Sequence, residues 1–181
     1  MTPALLLRLT VNPTLSWLEE MGVRSDDRAR VMLLAIAGQE SGFTARVQAN
    51  NGPAHSFWQG EKGGGMVTGC LTHERLRPLM LGICKELVVP PNTGDVWQAI
   101  TWNDHLACAA ARLLLWSDPL PLPAVDRPEL GWALYLRTWR PGKPHSERWA
   151  KLWSAAVAAV AGAGASFSTN TLGRAIAPEI T

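Results

Sequence analysis

The chain predicts a mainly α single domain, formally α+β through one small β-hairpin, and three observations carry that expectation. Apolar residues recur at three- and four-residue spacing in about six separate segments, the period of helices that bury one face. One stretch alone, residues 50 to 69, abandons that period for Gly and Asn around a β-capable "HSFWQ". At 181 residues, with 47% hydrophobic and 18% charged side chains, the chain is long enough for one packed core and too apolar for disorder.

Asn12-Pro13 offers a cap followed by proline at the first helical position and opens "TLSWLEEMGV", which Gly22 closes. Ser25, with Asp26 and Asp27 behind it, is expected to cap a second helix, "RARVMLLAIAGQES", that ends at Gly42. "NNGPAHSFWQGEKGGGMVTG" then reads as turns around the hairpin. Thr72 is the expected cap of a helix striped by Leu76, Leu79, Met80, Ile83 and Leu87, which "VVPPNTGD" breaks before recapping the next. "VWQAITWNDHLACAAARLLLW" is a long apolar segment with a break near Asn103, and "SDPLPLPAVDRPE" is a proline-stiffened connector. Trp132, Tyr135, Leu136 and Trp139 stripe a helix stopped by Pro141-Gly142. Ser146 opens the last helix, with Trp149, Leu152, Trp153, Ala156, Val157 and Val160 on one face. These elements make a domain of residues 1–161, and the Gly-, Ser-, Thr- and Asn-containing remainder, 162–181, reads as a loosely held C-terminal tail.

Composition removes several function classes. With 17 Lys+Arg against 15 Asp+Glu the formal charge is +2, too small for a whole-surface grip on nucleic acid. No segment reaches the roughly 18 to 20 apolar residues of a membrane span. "MTPALLLRL" lacks the basic start and cleavage site of a secretory signal, so synthesis in the cytoplasm is expected. The three cysteines, Cys70, Cys84 and Cys108, have no CxxC spacing, and His55, His73, His105 and His145 have no paired ligand spacing. Neither a metal nor another cofactor is expected.

What stands out instead is one acid. Glu40 ends the nearly charge-free run "LLAIAGQESGF", and Ala37, Ile36 and Leu33 share its helix face. Partial burial and the negative end of the helix dipole both disfavour its charged form. A carboxylic acid kept protonated near neutral pH can give a proton to a poor leaving group such as a glycosidic oxygen. The hairpin about twenty residues later carries Trp58, Gln59 and Glu61, expected to form the opposite wall of a groove, with Trp covering a sugar face and Gln fixing hydroxyls.

"QESGF" followed by "GPAHSFWQ" resembles the lysozyme-like superfamily, in particular the soluble lytic transglycosylases and goose-type lysozymes. Their pattern is a helix ending in Glu-Ser and, after a loop, a Gly-x-x-Gly-Leu-Met-Gln-like hairpin. The resemblance implies that Glu40 is the catalytic acid and base, that Ser41 positions it or the substrate, and that Gln59 and its neighbours bind the glycan. Trp58 stands for the family's methionine, and Ser56 stands where a glycine is expected. The family's Ala-Tyr-Asn-x-Gly-like element has its counterpart in "GWALYLRTWRPGKP", which makes Tyr135, the single tyrosine, the partner of the acid.

The implied activity is cleavage of peptidoglycan glycan strands. A lytic transglycosylase needs only one carboxylate, because the substrate's own hydroxyl attacks. A muramidase needs a second, for which Glu61 or Asp104 is available. Size and "WRPGKPH" also resemble small bacteriophage- and prophage-encoded members, endolysins or virion-associated lysins, which reach the periplasmic wall with a holin or inside a virion. The alternative is an inactive lysozyme-like virion protein that binds glycan. The basic stretch "RTWRPGKPHSERWAK" is expected to be a helix–loop–helix corner whose charges form a rim able to attract the carboxylates of peptide stems.

Overall fold

A computed structural model describes the backbone of residues 1–172 and the side chains through residue 164. Among the described residues the fold has eight helices and one two-stranded antiparallel sheet. α1 is a continuous rod, residues 3–20, in which α-helical Pro3–Leu6 and Asn12–Glu20 flank a π-helical stretch, Leu7–Val11. α2 is Asp27–Ser41; β1 (Ala54–His55) and β2 (Gly60–Glu61) form the hairpin; α3 is the single turn Cys70–Thr72, entered through the π-helical Gly65–Gly69. α4 (Arg77–Glu86), α5 (Thr93–Ala99), α6 (Asp104–Ser117), α7 (Pro128–Trp139) and α8 (Ser146–Leu172) follow.

Several local expectations are corrected. Asn12 does not cap a helix: the chain is already helical from Pro3, capped by Thr2, whose hydroxyl accepts from Leu5 N at 3.2 Å. The π turn absorbs Pro13, because its wider register, with Asn12 N donating to Leu7 O, accommodates the amide that proline lacks. Asp26 rather than Ser25 caps α2, accepting from Arg28 N at 3.0 Å. Thr72 ends α3 instead of capping α4. Asn92 and Asn103 cap α5 and α6 through their side chains, so the break expected near Asn103 is present. α8 carries the backbone past residue 162 to Leu172, and residues 173–181 of the expected tail lie outside the described residues.

α2 and α6 are the two buried helices. Every residue from Val31 to Gln39 is buried, as is every residue from Leu106 to Leu115, which is what an apolar surface on all sides requires. α8 packs along α2, and α1 and α6 flank it. α7 meets α8 where Gly131 lies against the Trp153 ring: a Cβ there would come within 2.2 Å of a ring carbon. Gly131→Ala is therefore expected to cost about 1–3 kcal/mol in denaturant melts, the usual range for overpacking; an unchanged midpoint would mean that Trp153 moves aside freely.

The hairpin differs from its sequence pattern. The β-capable "SFWQ" is the turn, and the strands lie on either side of it, pairing Ala54 with Glu61 and His55 with Gly60. Phe57 and Trp58 leave the strand path because the core takes them, at 3% and 0% exposure. Ser56 and Gln59 accordingly adopt left-handed backbone, φ 72 and 49. The position where the family pattern expects glycine is thus one where the backbone favours it.

Candidate active site

The C-terminus of α2 is built to stop where Glu40 stands. Gly42 adopts φ 58 and its amide bonds Gly38 O at 3.1 Å. Ser41 Oγ donates to Ala37 O at 2.8 Å and accepts from Phe43 N at 3.2 Å. Arg148, from the start of α8, donates to Gln39 O at 2.8 Å, placing a cation at the negative end of the helix. Glu40 is the one half-buried residue at the end of this otherwise buried run, and it opens into a cleft of about 810 Å³.

Across the cleft α7 supplies Tyr135, whose hydroxyl donates to Glu40 Oε1 at 2.7 Å. The phenol ring is fixed between Trp132 and Trp149, with centroids 5.1 and 5.5 Å away. The hairpin supplies Gln59 and Glu61 to the same cleft, and Arg140, Lys143, His145 and Arg148 form its basic side. Burial raises the Glu40 pKa above the ordinary carboxylate range; the Tyr135 hydrogen bond and the Arg148 charge oppose that rise, and the Glu61 charge adds to it. Burial, followed by the charge of Glu40, keeps Tyr135 protonated far above neutral pH, so its O–H remains available to donate to Glu40.

Four of the residues expected from the sequence, Glu40, Gln59, Glu61 and Tyr135, therefore meet at one cleft. Ser41 borders it, but its hydroxyl is bound to the helix backbone, so it shapes the end of α2 instead of contacting Glu40. Gln59 turns its amide back, Nε2 donating to Ser56 O at 2.7 Å. Trp58 is corrected: its indole N–H donates to Leu33 O at 2.9 Å inside the core, leaving no ring face for a sugar. Asp104 is also removed from the site, ion-paired with Arg46 at the start of α6 and bordering a different depression beside Leu9 and Trp102. Trp149 and Trp153 are core residues at 3% exposure.

Two cleft residues had no individual place in the sequence pattern. Arg148 lay inside the basic stretch expected at the rim, and only its contact with Gln39 O shows that it also completes the helix end. Gln39, 4% exposed, donates to His145 O at 3.1 Å and ties the 140–145 loop to α2, while its Oε1 has no hydrogen-bond partner. Being Glu40's neighbour was its only signal.

Cysteine chemistry finds no support in the structure. Cys70, Cys84 and Cys108 are free and buried, and burial pushes the Cys70 and Cys108 thiols up to about 12. Among the described residues no three His, Cys, Asp or Glu side chains cluster to hold a metal, and no helix is long and apolar enough to cross a membrane. No family model, curated protein or solved structure matches the chain.

Proposed function

We propose that this protein cleaves the glycan strands of peptidoglycan, with Glu40 as the general acid. The single observation that carries this is the half-buried Glu40, with a raised pKa, bonded to Tyr135 at 2.7 Å on the wall of an 810 Å³ cleft. Protonated Glu40 donates to the glycosidic oxygen, and the resulting carboxylate then accepts the proton of the attacking hydroxyl or water. Tyr135 holds one oxygen of the acid, directing the other toward the cleft. A pore-forming partner or a virion is the proposed route to the wall.

Digestion of purified sacculi followed by mass spectrometry of the released fragments tests the activity. Anhydro-muramic ends identify intramolecular attack, reducing ends identify hydrolysis, and no release at any pH rejects cleavage. One observation favours the alternative of an inactive glycan-binding virion protein: Gln59, the hairpin's amide, is bonded to its own turn. Saturable sacculus binding without release would establish it.

The neighbours of the acid give a directional pH test. Activity of a general acid is lost as pH rises through its pKa. Glu61→Gln removes a charge that raises the Glu40 pKa, so the alkaline limb of the activity profile should move to lower pH. Tyr135→Phe removes a hydrogen bond that lowers it, so the limb should move to higher pH. Shifts in the same direction, or none in either variant, would show that Glu40 does not set the limb. Loss of all activity in Glu61→Gln, with the fold retained, would make Glu61 an obligate second carboxylate.

A further inference from the structure

The opposite end of α2, roughly 20 Å from Glu40 at helical rise, borders a second cavity, of about 680 Å³. Arg112 of α6 lines it and is only 3% exposed. Its Nε donates to Ser25 Oγ at 3.0 Å and its Nη2 to Arg24 O at 2.7 Å, while Nη1 has no hydrogen-bond partner. No carboxylate among the described residues forms an ion pair with it, and Asp26 acts on it only as a more distant charge. Burial draws its pKa down to about 10, so the guanidinium is still charged at neutral pH.

A buried cation that lacks an ion-pair partner is costly to keep unless something answers it. The two acids of the cavity are already committed: Asp26 lies 2.6 Å from Arg28, and Asp118 lies 3.0 Å from Arg137. Arg24 and Arg75 line the same cavity and form no ion pair among the described residues. Three arginines therefore line one concavity without an ion-paired carboxylate among the described residues. One wall is apolar. The Trp116 ring lies there, with the Arg75 guanidinium 5.6 Å from its centroid, next to Leu120 and Leu122.

We propose that this cavity binds the phosphate group of a small phosphate monoester, with Arg24, Arg75 and Arg112 around its oxygens and the organic part against Trp116. A carboxylate would satisfy the fork of one arginine; three cations around one space match the several oxygens and higher charge of a phosphate. The site stands apart from the cleft and does not depend on what the cleft does.

Titration calorimetry and thermal melts of the full chain with inorganic phosphate and glycerol 3-phosphate test it, with sodium acetate and sodium chloride at equal ionic strength as comparison. Both phosphates should bind saturably and raise Tm, and neither acetate nor chloride should do so. Arg24→Ala and Arg75→Ala change exposed side chains and should weaken phosphate binding at least tenfold. Arg112→Met, which replaces a buried charge by an apolar chain of similar length, should abolish the phosphate response without loss of thermal stability. Equal shifts with acetate or chloride would reduce the effect to ionic strength. Full phosphate affinity in Arg24→Ala and Arg75→Ala, or binding of inorganic phosphate alone, would overturn the proposal, whatever the fate of Arg112→Met.

Discussion

Replacing Glu40 by Gln is expected to remove glycan release from sacculi, a loss of about 10²–10⁴-fold at least, the usual contribution of a positioned acid. Because the proposed chemistry uses this one side chain first as acid and then as base, the loss should fall at the upper end. The substitution is isosteric, and an amide oxygen can still accept from the Tyr135 hydroxyl, so the bond that measures 2.7 Å in the native site should survive. Folding provides an independent readout. The folded Glu40 pKa is raised by burial, so its protonated form favours the folded state. That contribution is complete below the ordinary carboxylate pKa and is lost as pH rises through the raised one. Glu40→Gln should therefore melt at a higher temperature than the native protein at neutral pH, and the difference should vanish in acid. Retained glycan release in a well-folded Glu40→Gln protein would end the assignment.

Trp58→Ala is expected to produce the largest loss of stability, about 3–5 kcal/mol, as for other large aromatic side chains truncated in a packed core. Trp58 is fully buried, anchors the turn of the hairpin to α2 through Leu33 O, and its own carbonyl accepts from Trp139 Nε1 at 2.9 Å. It joins three elements that border the cleft. Denaturant unfolding measures the loss directly. Trp58→Phe keeps most of the apolar volume and drops the indole N–H with part of the bicyclic ring, so it should cost less than Trp58→Ala and retain sacculus binding. A Trp58→Ala protein of native stability that no longer binds glycan would instead make Trp58 an exposed sugar platform.

The resemblance to lysozyme-like enzymes rested on short segments. Within them the acid and its helix end were legible, because each is a local pattern, an apolar run that stops at a carboxylate and a glycine that can turn left-handed, whereas Tyr135 entered as partner only through the resemblance. Tyr135 and Glu40 are 95 positions apart, and only the packing of α7 across the end of α2 makes them partners at 2.7 Å. Trp58 shows the converse. As a residue type it suits both a sugar platform and a core, and sequence cannot say which side of a two-residue-strand hairpin faces inward.

Helix periodicity and proline and asparagine punctuation were properties of the chain itself, and they determined a mainly helical domain with one irregular hairpin. They act between near neighbours, which is why they can be recognised without a fold. Cap identities were less certain, since Ser25 and Asp26 compete for one position and Pro13 could be absorbed by a π turn that no local pattern announces. Tertiary structure alone decided the rest: that Glu61 shares the cleft with Glu40 while Asp104 is held elsewhere by Arg46, that Arg148 completes the end of α2, and that Arg112 lies buried without an ion-pair partner among the described residues. Burial and electrostatic pairing depend on distances through space, and those are set only when distant segments pack.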